Sequence, residues 1–324
     1  MLRRCALPAR VPAVVPAVVP AVVLALGLTA CGTEVGESPG AATAQTRSVV
    51  HALGTTEVTG TPERVVVLDS GELDAVASLG VVPVGTVETE GLLEELAGAH
   101  GFDADDVAVV GSITEPDLEA VAALQPDLIL TNAVRHAALY EQLSGLAPTV
   151  MSADLGAVWQ GNFRLSAEAM GMTDEAGRIL ADYEQRVGEI AAAWGDPATT
   201  EVSVLRFMGG GQIRAYARGS FIGSVLEDVG FTWPAALDTT ENRVELGPET
   251  LDQVTADVVF WSPGFTDEGS GEAASLQTGG LWSSLPAVAS GDVHEVDDAR
   301  WFLGLGPSGA DLVLDDLTGI AAAR

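Results

Sequence analysis

TDEAGRILADYEQRVGEIAAAW, residues 173–194, lies near the middle of a 324-residue chain and reads as one long helix. Ala176, Ile179, Leu180, Tyr183, Val187, Ile190, Ala191 and Trp194 recur at the i, i+3, i+4, i+7 spacing of a single helical face. Thr173 is placed to cap the start, and Asp174 and Glu175 set negative charge in the first turn, where the helix dipole favours it. Gly195-Asp196-Pro197 stops it. At about 1.5 Å per residue the rod is roughly 33 Å long, the width of a small domain. Strand-rich segments that resemble each other lie on both sides. The pattern predicts an α/β protein of two lobes joined by a stiff helical strut; the simpler alternative is one crossover helix inside a single large domain.

The flanks alternate strand and helix. Val65-Val66-Val67-Leu68 reads as a buried parallel strand, followed by a turn at Asp69-Ser70-Gly71-Glu72 and a helix over 73–79. Further strands are expected at 81–85, 107–111, 128–132 and 149–151, with a helix opened by Pro116. After the strut come strands at 201–207 and 212–216 across a Gly209-Gly210-Gly211 turn, then strands at 258–261 and 293–296 and a closing amphipathic helix at 307–323. Such alternation means parallel sheets covered by helices. The halves overlay: Glu119 precedes Asp127 and a strand by the same spacing as Glu249 precedes Asp257 and a strand, and 65–69 matches 202–206. Residues 49–58 form an expected edge strand or hairpin. The expected divisions are a leader (1–30), a tether (31–47), a first lobe (48–160), a linking helical segment (161–195) and a second lobe (196–324).

The leader has Arg3, Arg4 and Arg10, three copies of Pro-Ala-Val-Val, and the lipobox Leu28-Thr29-Ala30-Cys31. It predicts a bacterial lipoprotein acylated at Cys31, and its prolines and short apolar run argue against a spanning helix. Cys5 would leave with the leader, so Cys31 would be the only remaining Cys and no internal disulfide or Cys-ligated metal is expected. The tether is rich in Gly, Ser, Thr, Ala and Glu and reads as flexible. All 15 basic residues are Arg and the formal net charge is −31, which argues against nucleic acid and anionic membrane surfaces as partners. His51, His100, His136 and His294 share no metal-ligand spacing. No P-loop and no H-E-x-x-H motif occurs, and no G-x-G-x-x-G follows an expected strand, so an enzyme is not expected.

Ligands of open α/β sheets bind beyond the carboxyl ends of the strands. Those ends offer Asp69, Ser70, Gly71, Glu72 and Asn132 in the first half, with Trp159 as a floor, and Arg206, Phe207, Arg214, Tyr216, Arg218, Arg300 and Trp301 in the second. Gathered guanidinium forks suit an anionic or carbonyl-rich ligand, and the aromatic rings suit its flat edges. The competing readings are surface ion pairs for Arg214 and Arg218 and core packing for Trp159 and Trp301.

Several stretches resemble the periplasmic-binding-protein family that serves ABC importers of ferric siderophores, vitamin B12 and haem. They are His51-Ala-Leu-Gly-Thr-Thr, Pro62-Glu-Arg-Val-Val-Val-Leu-Asp, Leu73-Asp-Ala with Leu79-Gly-Val-Val-Pro-Val-Gly, Pro116-Asp-Leu-Glu119 with Leu124-Gln-Pro-Asp-Leu-Ile-Leu, Ser203-Val-Leu-Arg-Phe, and Trp301 with Asp315-Asp316-Leu317. The chain looks most like lipid-anchored iron-siderophore receptors of actinobacteria. The resemblance implies two Rossmann-like α/β lobes joined by a single long helix. It implies a ferric siderophore as ligand, with haem or a cobalamin as alternative, and no resident cofactor. Arg206, Arg214, Tyr216, Arg300, Trp301 and Trp159 would contact the ligand, while Glu119 and Glu249 would dock on an ABC permease. The protein would be a monomer on the extracytoplasmic face of the cell membrane, with little hinge motion.

Overall fold

The computed structural model describes residues 45–264 and 266–324. The expected leader, Cys31 and most of the expected tether lie outside the described residues. An antiparallel hairpin, β1 (Thr46–His51) and β2 (Gly54–Thr59), comes first. Thr46 and Arg47, assigned to the tether from the sequence, instead begin β1. The Arg47 guanidinium fixes them by donating to the carbonyls of Gly60 and Ala169.

The first lobe is a five-stranded parallel sheet: β3 (Val65–Val67), β4 (Gly85–Thr86), β5 (Ala108–Val109), β6 (Leu128–Asn132) and β7 (Thr149–Ser152), in the order β5-β4-β3-β6-β7. β4 is short: Pro83 has no N–H to give to a ladder, and bonding to β3 begins at Val84, whose N–H donates to the Val65 carbonyl at 2.9 Å. Its helices are α1 (Ser70–Ser78), α2 (Leu92–His100), α3 (Leu118–Ala123), α4 (Ala133–His136) and α5 (Tyr140–Ser144).

Two helices, α6 (Trp159–Met170) and α7 (Thr173–Trp194), carry the chain once to the second sheet. The strut has the expected ends and buries Ala176, Leu180, Tyr183, Ile190 and Trp194. Thr173 is its first helical residue and not its cap: Met172 holds the cap position and offers no side-chain bond. Gly195, at φ 103°, ends it.

The second sheet contains β8 (Val202–Gly209), β9 (Gln212–Tyr216), β10 (Arg243–Leu246), β11 (Val258–Ser262) and β12 (Val293–Glu295), in the order β10-β9-β8-β11-β12. β8, β11 and β12 are parallel, whereas β9 runs antiparallel to both β8 and β10. The β8–β9 turn needs its glycines: Gly209, Gly210 and Gly211 all have φ between 65° and 87°. The helices are α8 (Phe221–Val229), α9 (Asp267–Gln277), α10 (Gly280–Ser283), α11 (Pro286–Ser290), α12 (Asp298–Phe302) and α13 (Pro307–Ala323), with a 3-10 turn at Pro248–Gln253.

The sequence overlay is structural. β3 pairs with β6 from Val65 opposite Leu128, and β8 pairs with β11 from Val202 opposite Val258. The Asp127 carboxylate accepts from the N–H groups of Glu63 and Arg64 at 2.8 and 3.0 Å, and Asp257 accepts from that of Glu201 at 3.0 Å. Each Asp ties the foot of the central strand in its sheet.

A second tie links the halves. The start of α13 sits on α1, where buried Asp74 accepts from the N–H groups of Gly306, Ser308 and Gly309 at 2.9 to 3.0 Å. Among the described residues no helix is long and apolar enough to cross a membrane.

Candidate functional site

Two cavities of about 370 and 630 Å³ open between the sheets and share Arg135, Phe302 and Leu305. The first lobe supplies its side as expected, from beyond strand ends: Ser70 after β3, Glu88–Glu90 after β4, Ser112–Thr114 after β5, and Arg135 after β6. The second lobe departs from that rule because β9 is reversed. Tyr216 stands level with Val204 near the start of β8, and it meets Phe302 of α12 at 4.8 Å between ring centroids.

Arg135 went unnoticed in the sequence. It lies on the short helix α4, and its Nε donates to Asp69 Oδ2 at 2.5 Å. The same oxygen accepts from Asn132 Nδ2 at 2.8 Å, while Asp69 Oδ1 accepts from the Ser70 N–H at 2.7 Å. Asp69 therefore orients a guanidinium whose side chain is 36% exposed at the junction of both cavities. The only local hint was Asn132, a helix cap at a strand end.

Beneath this pair lies Glu72, which accepts from Ser152 Oγ at 3.0 Å through one oxygen, while its other oxygen has no hydrogen-bond partner. Burial first, and then the charge of Asp69, push the Glu72 carboxyl up to about 7. Between its ordinary range and that value the folded chain keeps a proton that the unfolded chain has lost, so stability falls as pH rises through this window and is flat above it. The loss amounts to up to about 3 kcal/mol. Glu72→Gln should remove this slope: urea midpoints at pH 5 and pH 8 should differ less in the variant than in the parent chain. Parallel behaviour of the two chains would show that Glu72 does not hold a proton near neutrality.

The second-lobe arginines come with carboxylates of their own. The Arg206 side chain is 7% exposed and grips Asp298 with two bonds of 2.8 and 2.5 Å. Its guanidinium also lies 5.0 Å from the Phe302 ring and hydrogen-bonds with Tyr216. Despite burial, these partners raise its pKa further above the ordinary arginine value. Arg214 has Glu245 at 3.6 Å, Arg218 has Asp238 at 2.8 Å, and Arg300 has Asp316 at 3.2 Å. Tyr216 and Trp301 line the larger cavity, Trp301 from a fully buried position with its indole N–H on Asp316 at 2.9 Å. Arg206, Arg214 and Trp159 line neither cavity. Trp159 packs edge-on against Tyr183 and Phe221 at 5.1 and 5.7 Å, with Phe221 on the cavity wall. Arg300 faces a separate depression beside His294.

Glu119 and Glu249 are both exposed in the first turn of the segments that precede β6 and β11. The four histidines are dispersed: His51 bonds Thr56, His100 bonds Ser308, His136 bonds Thr131, and His294 bonds Asp292.

Comparison with known proteins agrees with this geometry. The chain is 35% identical over 315 residues to the "Probable siderophore-binding lipoprotein YfiY" of Bacillus subtilis, covering 90% of this chain and 92% of that one. It is 32% identical over 282 residues to the achromobactin-binding periplasmic protein of Dickeya dadantii, covering 80% and 88% of the two chains. The crystal structure of Staphylococcus aureus SirA complexed with staphyloferrin B superposes with a TM-score of 0.75 at 30% identity, over 86% of this chain and 99% of that one. Residues 65–299 match the family model described as periplasmic binding protein. With two α/β lobes around a shared cleft and a match running across both, the chain belongs to the periplasmic binding protein family.

Proposed function

We propose that this chain is an extracytoplasmic substrate-binding lipoprotein. It captures a ferric siderophore in the interlobe cleft and delivers it to an ABC permease, as a monomer held to the cell membrane by acyl chains on Cys31. The observation that carries the reading is the shared cleft, where Arg135 of one lobe faces the Tyr216–Phe302 pair of the other. A chelate brings its iron already wrapped in ligand oxygens, so the protein needs no resident cofactor and catalyses no reaction. Arg135 would donate to those oxygens, and Tyr216, Phe302 and Trp301 would pack the flat edges. Arg206, Arg214, Arg300 and Trp159 would reach the ligand only by exchanging an internal partner for it. A haem reading would want Tyr216 as axial ligand; its bond to Arg206 disfavours that use.

The test is tryptophan fluorescence titration with ferric hydroxamate, ferric catecholate, ferric citrate, haem and cobalamin. Saturation by a ferric chelate, weakened about tenfold or more in Arg135→Ala, supports the reading; one charge-assisted bond is worth about 1.5–3 kcal/mol. In that variant Asp69 keeps Asn132 and Ser70 as donors, so the fold should survive. Saturation by haem or cobalamin alone moves the function to the other ligands, and silence across the panel sinks it. Glu119 and Glu249 are proposed to dock on the permease: replacing both with Ala should leave titration unchanged and abolish iron uptake by cells.

A further inference from the structure

The cleft carries the wrong charge for a strongly anionic ligand. Its charged lining consists of Glu88, Glu90, Asp154 and Glu241 against Arg135 and Arg243. All four carboxylates are exposed, and none forms an ion pair among the described residues. Both guanidiniums are already compensated, Arg135 by Asp69 and Arg243 by Glu245 at 2.6 Å. Near the wall Arg206 is paired with Asp298, Arg214 shares Glu245 with Arg243 at 3.6 Å, and the chain contains no Lys that could turn inward. An approaching ligand therefore meets uncompensated negative charge on both lobes, inside a chain of net charge −31. A cleft lined by one sign of charge concentrates ligands of the opposite sign and repels its own.

Iron(III) complexes differ sharply in overall charge. Three hydroxamates, each a monoanion, cancel the metal and leave a neutral complex, or a cationic one if the chelator carries a free amine. Three catecholates, each a dianion, leave a trianion, and citrate-type chelators add free carboxylates. We infer that this cleft selects a neutral or cationic, hydroxamate-type ferric chelate and discriminates against tris-catecholate and citrate-type complexes. The inference rests on the ferric-siderophore reading above. Glu88 and Glu90 beyond β4 and Glu241 before β10 act as the filter, while the Tyr216–Phe302 wall accepts the apolar linkers between hydroxamates.

The full chain, purified in mild detergent, would be titrated with four ferric probes: a linear trihydroxamate bearing a free amine, a neutral cyclic trihydroxamate, a tris-catecholate and ferric citrate. The two trihydroxamates should bind at least about 100-fold more tightly than the other two at low salt. The gap should narrow in about 0.5 M salt through screening. In the Glu90→Gln/Glu241→Gln variant the gap should shrink about tenfold and lose most of its salt dependence. Tightest binding of tris-catecholate or citrate, or equal binding of all four, would overturn the inference and leave ferric-siderophore capture standing. Binding of none of the four, with saturation by haem or cobalamin, would remove the reading beneath it as well.

Discussion

Asp74→Ala is expected to cost about 4 kcal/mol of folding stability. Asp74 lies in α1, yet it serves a helix 232 positions further on. Its Oδ2 accepts from the N–H groups of Gly306 and Gly309, and its Oδ1 accepts from the Ser308 N–H and from Ser78 Oγ at 3.1 Å. The first N–H groups of any helix lack partners inside it. Those of α13 find theirs on the opposite lobe, where Asp74, Gly306 and Gly309 are buried and Ser308 is half-buried. Truncation would leave two buried backbone donors and a half-buried third unpaired, at roughly 1–3 kcal/mol for each buried one before relaxation. Asp74→Asn keeps one acceptor oxygen and should lose about half as much. The neighbouring glycines belong to the same device: a Cβ on Gly306 would stand 2.8 Å from Asp74 Cγ, and one on Gly309 would stand 2.6 Å from the Gly304 carbonyl oxygen. Urea unfolding measures the loss, and hydrogen exchange at residues 306–310 locates it. A cost below about 1 kcal/mol for Asp74→Ala would mean that water reaches these amides, and the tie would be dispensable. With the tie intact, α7 is not the only restraint on the lobes, so little closure is expected on binding.

How much of this was legible beforehand depends on the range of the interactions. The α7 strut could be read because eight apolar residues repeat at one local spacing, and local spacing is what a helix obeys. The repeated Glu-to-Asp spacing could be read for the same reason, since Asp127 and Asp257 act on the strand beside their own. The cleft was legible only in part. Strand ends can be found from β-branched runs, and they led to Asp69, Asn132 and Tyr216. Which arginine reaches a ligand is decided by partners far along the chain: Arg135 meets Asp69 across 66 positions, and Arg206 meets Asp298 across 92. A census of arginines could not show which carboxylates already hold them, Asp298 on Arg206 or Glu245 shared by Arg214 and Arg243. Asp74 left a faint trace, a single acid among Leu73, Ala75 and Val76, where a helix otherwise turns its apolar face inward.

Asp298→Ala should be the other large loss, about 3–5 kcal/mol, because removing one partner of a buried ion pair strands the other. The Arg206 guanidinium would keep Tyr216 and the Phe302 ring, but neither carries a charge to offset it. Ser262 Oγ, which donates to Asp298 at 2.6 Å, would also lose its acceptor. Arg206→Met should cost less, since an apolar side chain of similar length can refill the space while Asp298 retains Ser262 and a 13% exposed side chain. The double variant should then recover most of the Asp298→Ala deficit, a coupling of about 2 kcal/mol or more in a double-mutant cycle. Binding gives a second readout. Asp298 is the first residue of α12, the helix that carries Trp301 and Phe302 to the cleft. Releasing it from β8 should loosen that wall and weaken the ferric chelate in Asp298→Ala and in the double variant alike, even where stability has returned. Additive stabilities would show that the pair is not a unit. Unchanged affinity in the double variant would show that α12 is held by its aromatic packing alone.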